Sequence, residues 1–314
     1  MIYVIYLILA AGVVYLSNKA SEYVDLLDKK TSLSGAFIGG VMLSAVTSLP
    51  ELFTSLTSTL LLDKPGLCIG NILGSDLFNI MTLSILILVF YQSFLQTRIA
   101  NSHIIVTIAV MLMYVTLLLN KMHVLDFEVA TINFASFIII GLYVWGVKNM
   151  AEEDGSESQE EVESALTVKQ IVIRFVLVSI GIIGLSIAIT YATDLIAQKL
   201  NLGTGLAGAL FLGVATSLPE VSSTIALFRM KNYNIAIGNI IGSNLFNYII
   251  LAVADILYLG KGVYDYSDPK SLNLLVYGAI ATPLMLVLFK WKNKFTQVMC
   301  PIGVIICYVL FLAL

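Results

Sequence analysis

Charge is scarce in this chain. Of 314 residues, 20 are Asp or Glu and 17 are Lys or Arg, 12% in all. Soluble domains carry about 25%, so the shortfall excludes an ordinary water-soluble fold. The few basic residues are dispersed and the net charge is −3, which leaves no basic block for nucleic acid. There are two histidines, His103 and His123, and three cysteines, Cys68, Cys300 and Cys307. None stands at metal-ligand spacing, so a zinc or copper centre is not expected, and the cysteines read as small buried hydrophobes. No HExxH, GxSxG or Walker pattern occurs. That disfavours an intramembrane enzyme and an ATP-driven pump, and no cofactor is expected.

What the chain has in abundance is apolar surface: 59% hydrophobic residues and a mean hydropathy of +0.94. A membrane span needs about 20 such residues. Ten segments qualify: 2–17, 33–62, 66–91, 102–119, 128–147, 170–192, 202–228, 234–258, 271–289 and 297–313. The first has no charged n-region or cleavage motif and is expected to be a retained span. One connection is clearly polar, from Met150 to Thr167, with Glu152, Glu153, Asp154, Glu157, Glu160, Glu161 and Glu163. It is expected to be a solvated linker, residues 150–168, between halves 1–149 and 169–314. The odd-numbered connections carry eleven Lys and Arg against five in the even-numbered ones, leaving Arg174 aside within a span. This bias puts the odd connections and the acidic linker on the cytoplasmic side, with both termini outside.

The two halves share a motif. Thr47-Ser48-Leu49-Pro50-Glu51 recurs unchanged as Thr216-Ser217-Leu218-Pro219-Glu220. Each copy is followed by Gly-Asn-Ile-x-Gly-Ser-x-Leu-Phe-Asn, at Gly70–Asn79 and Gly238–Asn247. The offset between Thr47 and Thr216 is 169 residues, and that between Asn79 and Asn247 is 168. Five spans per half start the second repeat on the opposite side of the membrane, so the repeats are inverted. The predicted fold is an all-α membrane protein: ten transmembrane helices in two inverted five-helix repeats with broken central helices.

The motif has a direct chemical sense. A proline has no N–H and its ring clashes one turn back, so Pro50 deprives the Val46 carbonyl of its partner. Carbonyls freed inside a membrane are tolerated where something satisfies them, and a cation does so. Glu51 adds charge at a cost of roughly 2.5–3.5 kcal/mol for a carboxylate at a helix centre. Ser48 adds a hydroxyl. In the next span Ser75 and Asn79, four apart, share a helix face, as do Ser243 and Asn247. Asn71 and Asn239 extend each polar stripe, and Gly70, Gly74, Gly238 and Gly242 allow close helix approach. Two carboxylates among neutral oxygens suit Ca²⁺, Na⁺ or Mg²⁺.

These residues resemble the alpha repeats of the cation/calcium exchanger superfamily, most nearly the prokaryotic sodium/calcium exchangers, over nearly the whole chain. The resemblance implies central ion sites formed by the second, third, seventh and eighth helices, with the first and sixth sliding as a gate. It implies that Glu51 and Glu220 ligate calcium and sodium, and that Thr47 and Thr216 offer carbonyls. Ser48, Ser217, Ser75 and Ser243 offer hydroxyls, Asn79 and Asn247 flank the centre, and Ser44 and Gly213 fall where carbonyls serve outer sodium sites. The chain departs from the family in having Val46 and Ala215 where glycine usually precedes the motif. Asn247 stands where many relatives have Asp, which argues against potassium co-transport. Asp76 is an extra carboxylate whose counterpart is Asn244. It is read as lining an ion access path or, equally, as a packing residue. The expected function is sodium-for-calcium antiport by alternating access in a prokaryotic cell membrane. The expected partners are the two ions and the bilayer, and a monomer is the expected state. A proton/calcium exchanger of the same fold, a Mg²⁺ or Mn²⁺ exporter and a cation channel are the alternatives.

Overall fold

A computed structural model describes residues 1–30, 43–129, 131–153, 166–259, 261–291 and 293–314. Most of the acidic connection and the expected start of the second span lie outside the described residues. The elements in chain order are α1 (Ile2–Lys30), α2 (Leu43–Thr47), α3 (Leu49–Leu56), a π-helical turn π1 (Thr57–Leu61), α4 (Pro65–Val89), α5 (Tyr91–Gln96), α6 (Asn101–Lys121), β1 (Glu128–Val129), β2 (Ile132–Asn133), α7 (Phe134–Glu153), α8 (Val168–Leu200), α9 (Thr204–Ala207), π2 (Gly208–Gly213), α10 (Val214–Arg229), α11 (Tyr233–Leu257), α12 (Pro269–Lys290) and α13 (Thr296–Ala313).

Eight helical stretches among the described residues are long and apolar enough to cross a membrane: α1, α4, α6, α8, the run from α9 through α10, α11, α12 and α13. The expected second span is divided among α2, α3 and π1 and is not one of them. The expected fifth is shorter: α7 is apolar over Phe134–Met150. Its expected beginning at residue 128 is instead an antiparallel hairpin pairing Glu128 with Asn133 and Val129 with Ile132. This hairpin departs from an all-α chain. It is held by the Asn133 N–H, which donates to the buried Asp255 carboxylate of α11 at 2.9 Å.

Two packing units position the site. The main core gathers buried residues of α4, α6, α7, α11, α12 and α13, and α4 and α11 are buried along most of their length. Helices α1 and α8 pack on each other and expose most of their surface. Without a hydrophobic drive between helices in lipid, small residues and close packing hold such a pair. A Cβ on Gly12 would lie 2.9 Å from Leu185 Cδ1, and one on Gly181 2.7 Å from Leu16 Cδ1. Each glycine thus receives the leucine of the other helix, and both glycines and leucines are 169 residues apart. The pair touches the motif elements: Val46 and Leu49 pack against Ala20, Val24 and Ile182, and the Tyr6 hydroxyl donates to the Phe211 carbonyl of π2 at 2.6 Å.

The two motif helices are not alike. The first breaks at Ser48 (φ −88°, ψ 11°), with Pro50 in the first turn of α3. The second runs unbroken through Pro219, which corrects the expectation that both are broken. The π turn at Gly208–Gly213 lies just upstream of α10.

Candidate ion-binding site

Glu51 and Glu220 sit where the motif helices meet α4 and α11, and both are buried. The serine of each motif reaches the glutamate of the other. Ser48 Oγ donates to Glu220 Oε1 at 3.5 Å, and Ser217 Oγ donates to Glu51 Oε1 at 3.3 Å. Thr47 lies beside Glu220, and Thr216 beside Glu51. Ser243 Oγ also donates to Glu220 Oε1, at 3.5 Å. One oxygen of each carboxylate is therefore engaged. The other, Oε2 in both, is buried with no hydrogen-bond partner among the described residues. Buried polar atoms are nearly always paired, so two matched orphan acceptors mark a place where something positive belongs.

The asparagines of the Gly-Asn-Ile segments hold the motif helices in place. Asn71 Nδ2 lies 3.3 Å from the Glu51 carbonyl and 2.9 Å from both Thr54 Oγ1 and Ser55 Oγ. Asn239 Nδ2 repeats this with the Glu220 carbonyl at 3.3 Å, Ser223 Oγ at 2.8 Å and Thr224 Oγ1 at 3.0 Å. These four hydroxyl residues were missed by the sequence reading. Their signal was available: in both halves polar side chains stand three and four positions after the glutamate, one helical turn on.

Close approach of α4 to π2 sets the depth of the site. A Cβ on Gly70 would lie 2.3 Å from the Gly205 carbonyl, and one on Gly74 2.5 Å from Ala209 Cα. Backbone therefore meets backbone, and Ser75 Oγ reaches the Gly213 carbonyl at 3.2 Å. Gly213 is thus at the site. The Ser44 side chain lies outside the described residues. Asn79 and Asn247 are at the crossing of α4 and α11, where Asn79 Nδ2 donates to Asn244 Oδ1 at 2.9 Å and Asn247 Nδ2 to Asp76 Oδ1 at 2.8 Å. Among the described residues no group of three or more His, Cys, Asp or Glu is clustered as a conventional metal centre. The donors are two glutamates with hydroxyl, amide and carbonyl oxygens, a set suited to hard cations.

The family described as sodium/calcium exchanger protein matches the chain over residues 1–147 and 170–314. The chain belongs to this family. As an exchanger it is a multi-pass integral membrane transporter rather than an enzyme, and calcium and sodium are the family's cargo, with no cofactor needed. A curated relative, the inner membrane protein YrbG of Escherichia coli (strain K12), is 25% identical over 276 residues, covering 84% of this chain and 82% of its own. Two solved structures share the exchanger fold. One is the H⁺/Ca²⁺ exchanger CAX, with TM-score 0.73, 12% identity, and coverage of 99% of this chain and 87% of that one. The other is the sodium-calcium exchanger NCX_Mj, soaked with Na⁺ and Sr²⁺, with TM-score 0.61, 19% identity, and coverage of 98% and 99%.

Proposed function

We propose that this exchanger is a secondary antiporter that moves calcium against sodium by alternating access. The observation that carries the reading is the reciprocal pair of contacts, Ser48 to Glu220 and Ser217 to Glu51, with a free carboxylate oxygen left on each glutamate. Two carboxylates balance one Ca²⁺. Sodium ions spread over Ser75, Ser243, Asn79, Asn247 and the carbonyls of Thr47, Thr216, Ser44 and Gly213 replace it. Both ions compete for one cluster, and an empty cluster leaves buried carboxylates uncompensated, which opposes crossing unloaded. That penalty is the coupling.

In this proposal the chain forms ten spans in two inverted repeats, residues 1–149 and 169–314, joined by the cytoplasmic linker 150–168. The cross-matched Gly12–Leu185 and Gly181–Leu16 contacts support a two-fold relation between them. The α1–α8 pair is the moving part. It is small in its contacts with the main core, yet it touches both motif helices.

The second reading is a proton/calcium exchanger. The higher TM-score to CAX favours it, but at 12% identity that likeness concerns backbone alone. The surplus of hydroxyl and amide oxygens, which do not titrate near neutral pH, favours sodium. Radiolabelled calcium uptake into proteoliposomes under imposed Na⁺, H⁺ or K⁺ gradients tests the choice. Uptake driven by outward sodium is expected. Uptake driven by a proton gradient in sodium-free buffer contradicts the sodium reading and supports its rival.

A further inference from the structure

Two polar side-chain contacts tie the α1–α8 pair to the rest of the molecule, and both lie at one end of it. Lys64, the residue before α4, forms an ion pair with Asp194 near the end of α8, and Gln198 Nε2 donates to the second Asp194 oxygen at 2.7 Å. The Tyr6 hydroxyl donates to the Phe211 carbonyl of π2 at 2.6 Å. Gly12 meets Leu185 and Gly181 meets Leu16, so α1 and α8 run antiparallel and the start of α1 lies beside the end of α8. Lys199 Nζ, 5.2 Å from the Tyr3 ring centre, marks that same end. The Lys64 side chain is 31% exposed and that of Asp194 12%, so water screens the ion pair only in part. The turn that carries Lys64 is itself fixed to the core: Asp63 Oδ1 accepts from Lys261 Nζ at 2.7 Å and from the Tyr258 hydroxyl, both beyond α11.

Neither contact is repeated in the other half. The residue equivalent to Lys64, 168 positions on, is Asn232. The two turns share a backbone: Asp63 (φ 55°) leads into Lys64 and α4 as Lys231 (φ 62°) leads into Asn232 and α11. Only the side chains differ. The residue equivalent to Tyr6, 169 positions on, is Phe175, which has no hydroxyl. Asp194 does have a counterpart, Asp25, so the carboxylate is repeated and its cation is not. In a chain of two inverted repeats the halves exchange roles between the two end states of an alternating step. Identical halves would make those states equal in free energy, so any bias comes from residues that differ between the halves.

We infer that the Lys64–Asp194 and Tyr6–Phe211 contacts form a one-sided latch that holds the α1–α8 pair in the conformation described and sets the balance between the two end states. This inference rests on the alternating-access reading and adds to it the residues that bias the step. The leucine-into-glycine contacts lie within the pair and travel with it. The latch contacts reach from the pair to α4 and π2, so they break when the pair moves past the core. A contact made in one state alone shifts the equilibrium by its own differential free energy. The bonds of Lys64, Asp194 and Tyr6 do not go to the paired glutamates or their serines. Lys64 and Tyr6 are therefore positioning residues: they set how often the site faces each way and leave its ligands as they are.

The test measures distances between spin labels in the full chain reconstituted in bilayers. The labels sit on cysteines introduced at Leu195 of α8 and at Leu259 beyond α11, both exposed, with the three buried native cysteines replaced by alanine. The otherwise native chain is expected to show two distances, with that of the described conformation in excess. Lys64→Asn and Tyr6→Phe each give the first half the residue that the second half already has. Each is expected to move the ratio of the two populations about fivefold away from the described conformation, the effect of losing one polar contact. Lys64→Asp combined with Asp194→Lys reverses the ion pair and is expected to restore the ratio. Should Lys64→Asn not fold, Tyr6→Phe, which removes one hydroxyl and no packing, is read the same way. Two distances whose ratio neither variant changes, even with a lowered melting temperature, show ties that are merely structural and overturn the latch. A reversed pair that fails to restore the ratio also overturns it. A single distance in native and variant proteins alike, with and without sodium and calcium, overturns instead the moving α1–α8 pair on which the inference stands, and the latch with it.

Discussion

Replacing either site glutamate by glutamine removes charge without removing volume, and the structure fixes how large the effect is. Glu51 Oε1 is held by Ser217 at 3.3 Å and Glu220 Oε1 by Ser48 and Ser243 at 3.5 Å. Each Oε2 is left free. Glutamine keeps the oxygen that the serines hold but offers an amide, or a rotated N–H, where the free carboxylate oxygen stood. Removing one member of a buried charge pair costs about 3–5 kcal/mol, which is roughly a hundred- to several-thousandfold in affinity. Because each glutamate is held by the serine of the opposite motif and keeps one free oxygen, Glu51→Gln and Glu220→Gln are both expected to lose calcium binding by factors in this range. The assay is calcium-dependent thermal stabilisation of the purified protein, since a ligand stabilises in proportion to its occupancy of the native state. It is run beside calcium flux in proteoliposomes. Native melting without calcium, no calcium shift and no flux are expected in both variants. Near-normal exchange in either would refute a single site shared by the repeats.

Ser48→Ala and Ser217→Ala each remove one hydroxyl from the opposite glutamate. These hydrogen bonds to charged groups are long, so the low end of about 1.5–3 kcal/mol applies, and calcium half-saturation is expected to rise about tenfold in each. Gly208→Ala puts a Cβ 2.5 Å from the Leu67 carbonyl and 2.9 Å from the Asn71 nitrogen, all backbone, so no rotamer relieves it. A loss of about 1–3 kcal/mol is expected in thermal melts, whereas Gly141→Ala, which meets nothing within 4 Å, is expected to melt as native. At the loop before α4, the Asp63 carboxyl is held below its usual range, chiefly by its hydrogen bond from Lys261 and then by that from Tyr258. A carboxyl depressed in the folded state contributes stability above its unfolded pKa of about 3.9, lost as pH falls through the lower folded value. Lys261→Met is therefore expected to flatten the acid limb of melting temperature against pH, and an unchanged limb would show that the tie contributes nothing.

The placement of the site was legible because its signals are chemical and doubled. A proline and a glutamate inside an apolar run have few explanations, and the same five residues 169 positions later leave fewer. Glu51, Glu220, Ser48, Ser217 and Ser243 were placed by that argument, and the structure brings them together. The role of Asn71 and Asn239 was less legible. Spacing put them on the same stripe as Ser75 and Ser243, yet their amides turn to the motif backbone, which a period of 3.6 does not reveal. The continuity of α10 was hidden for a related reason: the two motifs are identical in sequence, and yet the backbone breaks at Ser48 in the first and runs on through Pro219 in the second. The hairpin before α7 was read as span because Val129 and Ile132 are apolar. What separates it from the helix is the tertiary tie from Asn133 to Asp255, distant in sequence.

The most direct measurement of the central claim is the sign of net calcium movement in proteoliposomes when the sodium gradient is reversed, with pH and membrane potential clamped. Obligatory exchange through one shared site is expected to move calcium opposite to sodium in both directions, with no net calcium movement when sodium is equal on the two sides and calcium starts equal. Calcium that runs down its own gradient whatever the sodium gradient, or that reverses only when a proton gradient is reversed, would contradict sodium-for-calcium antiport.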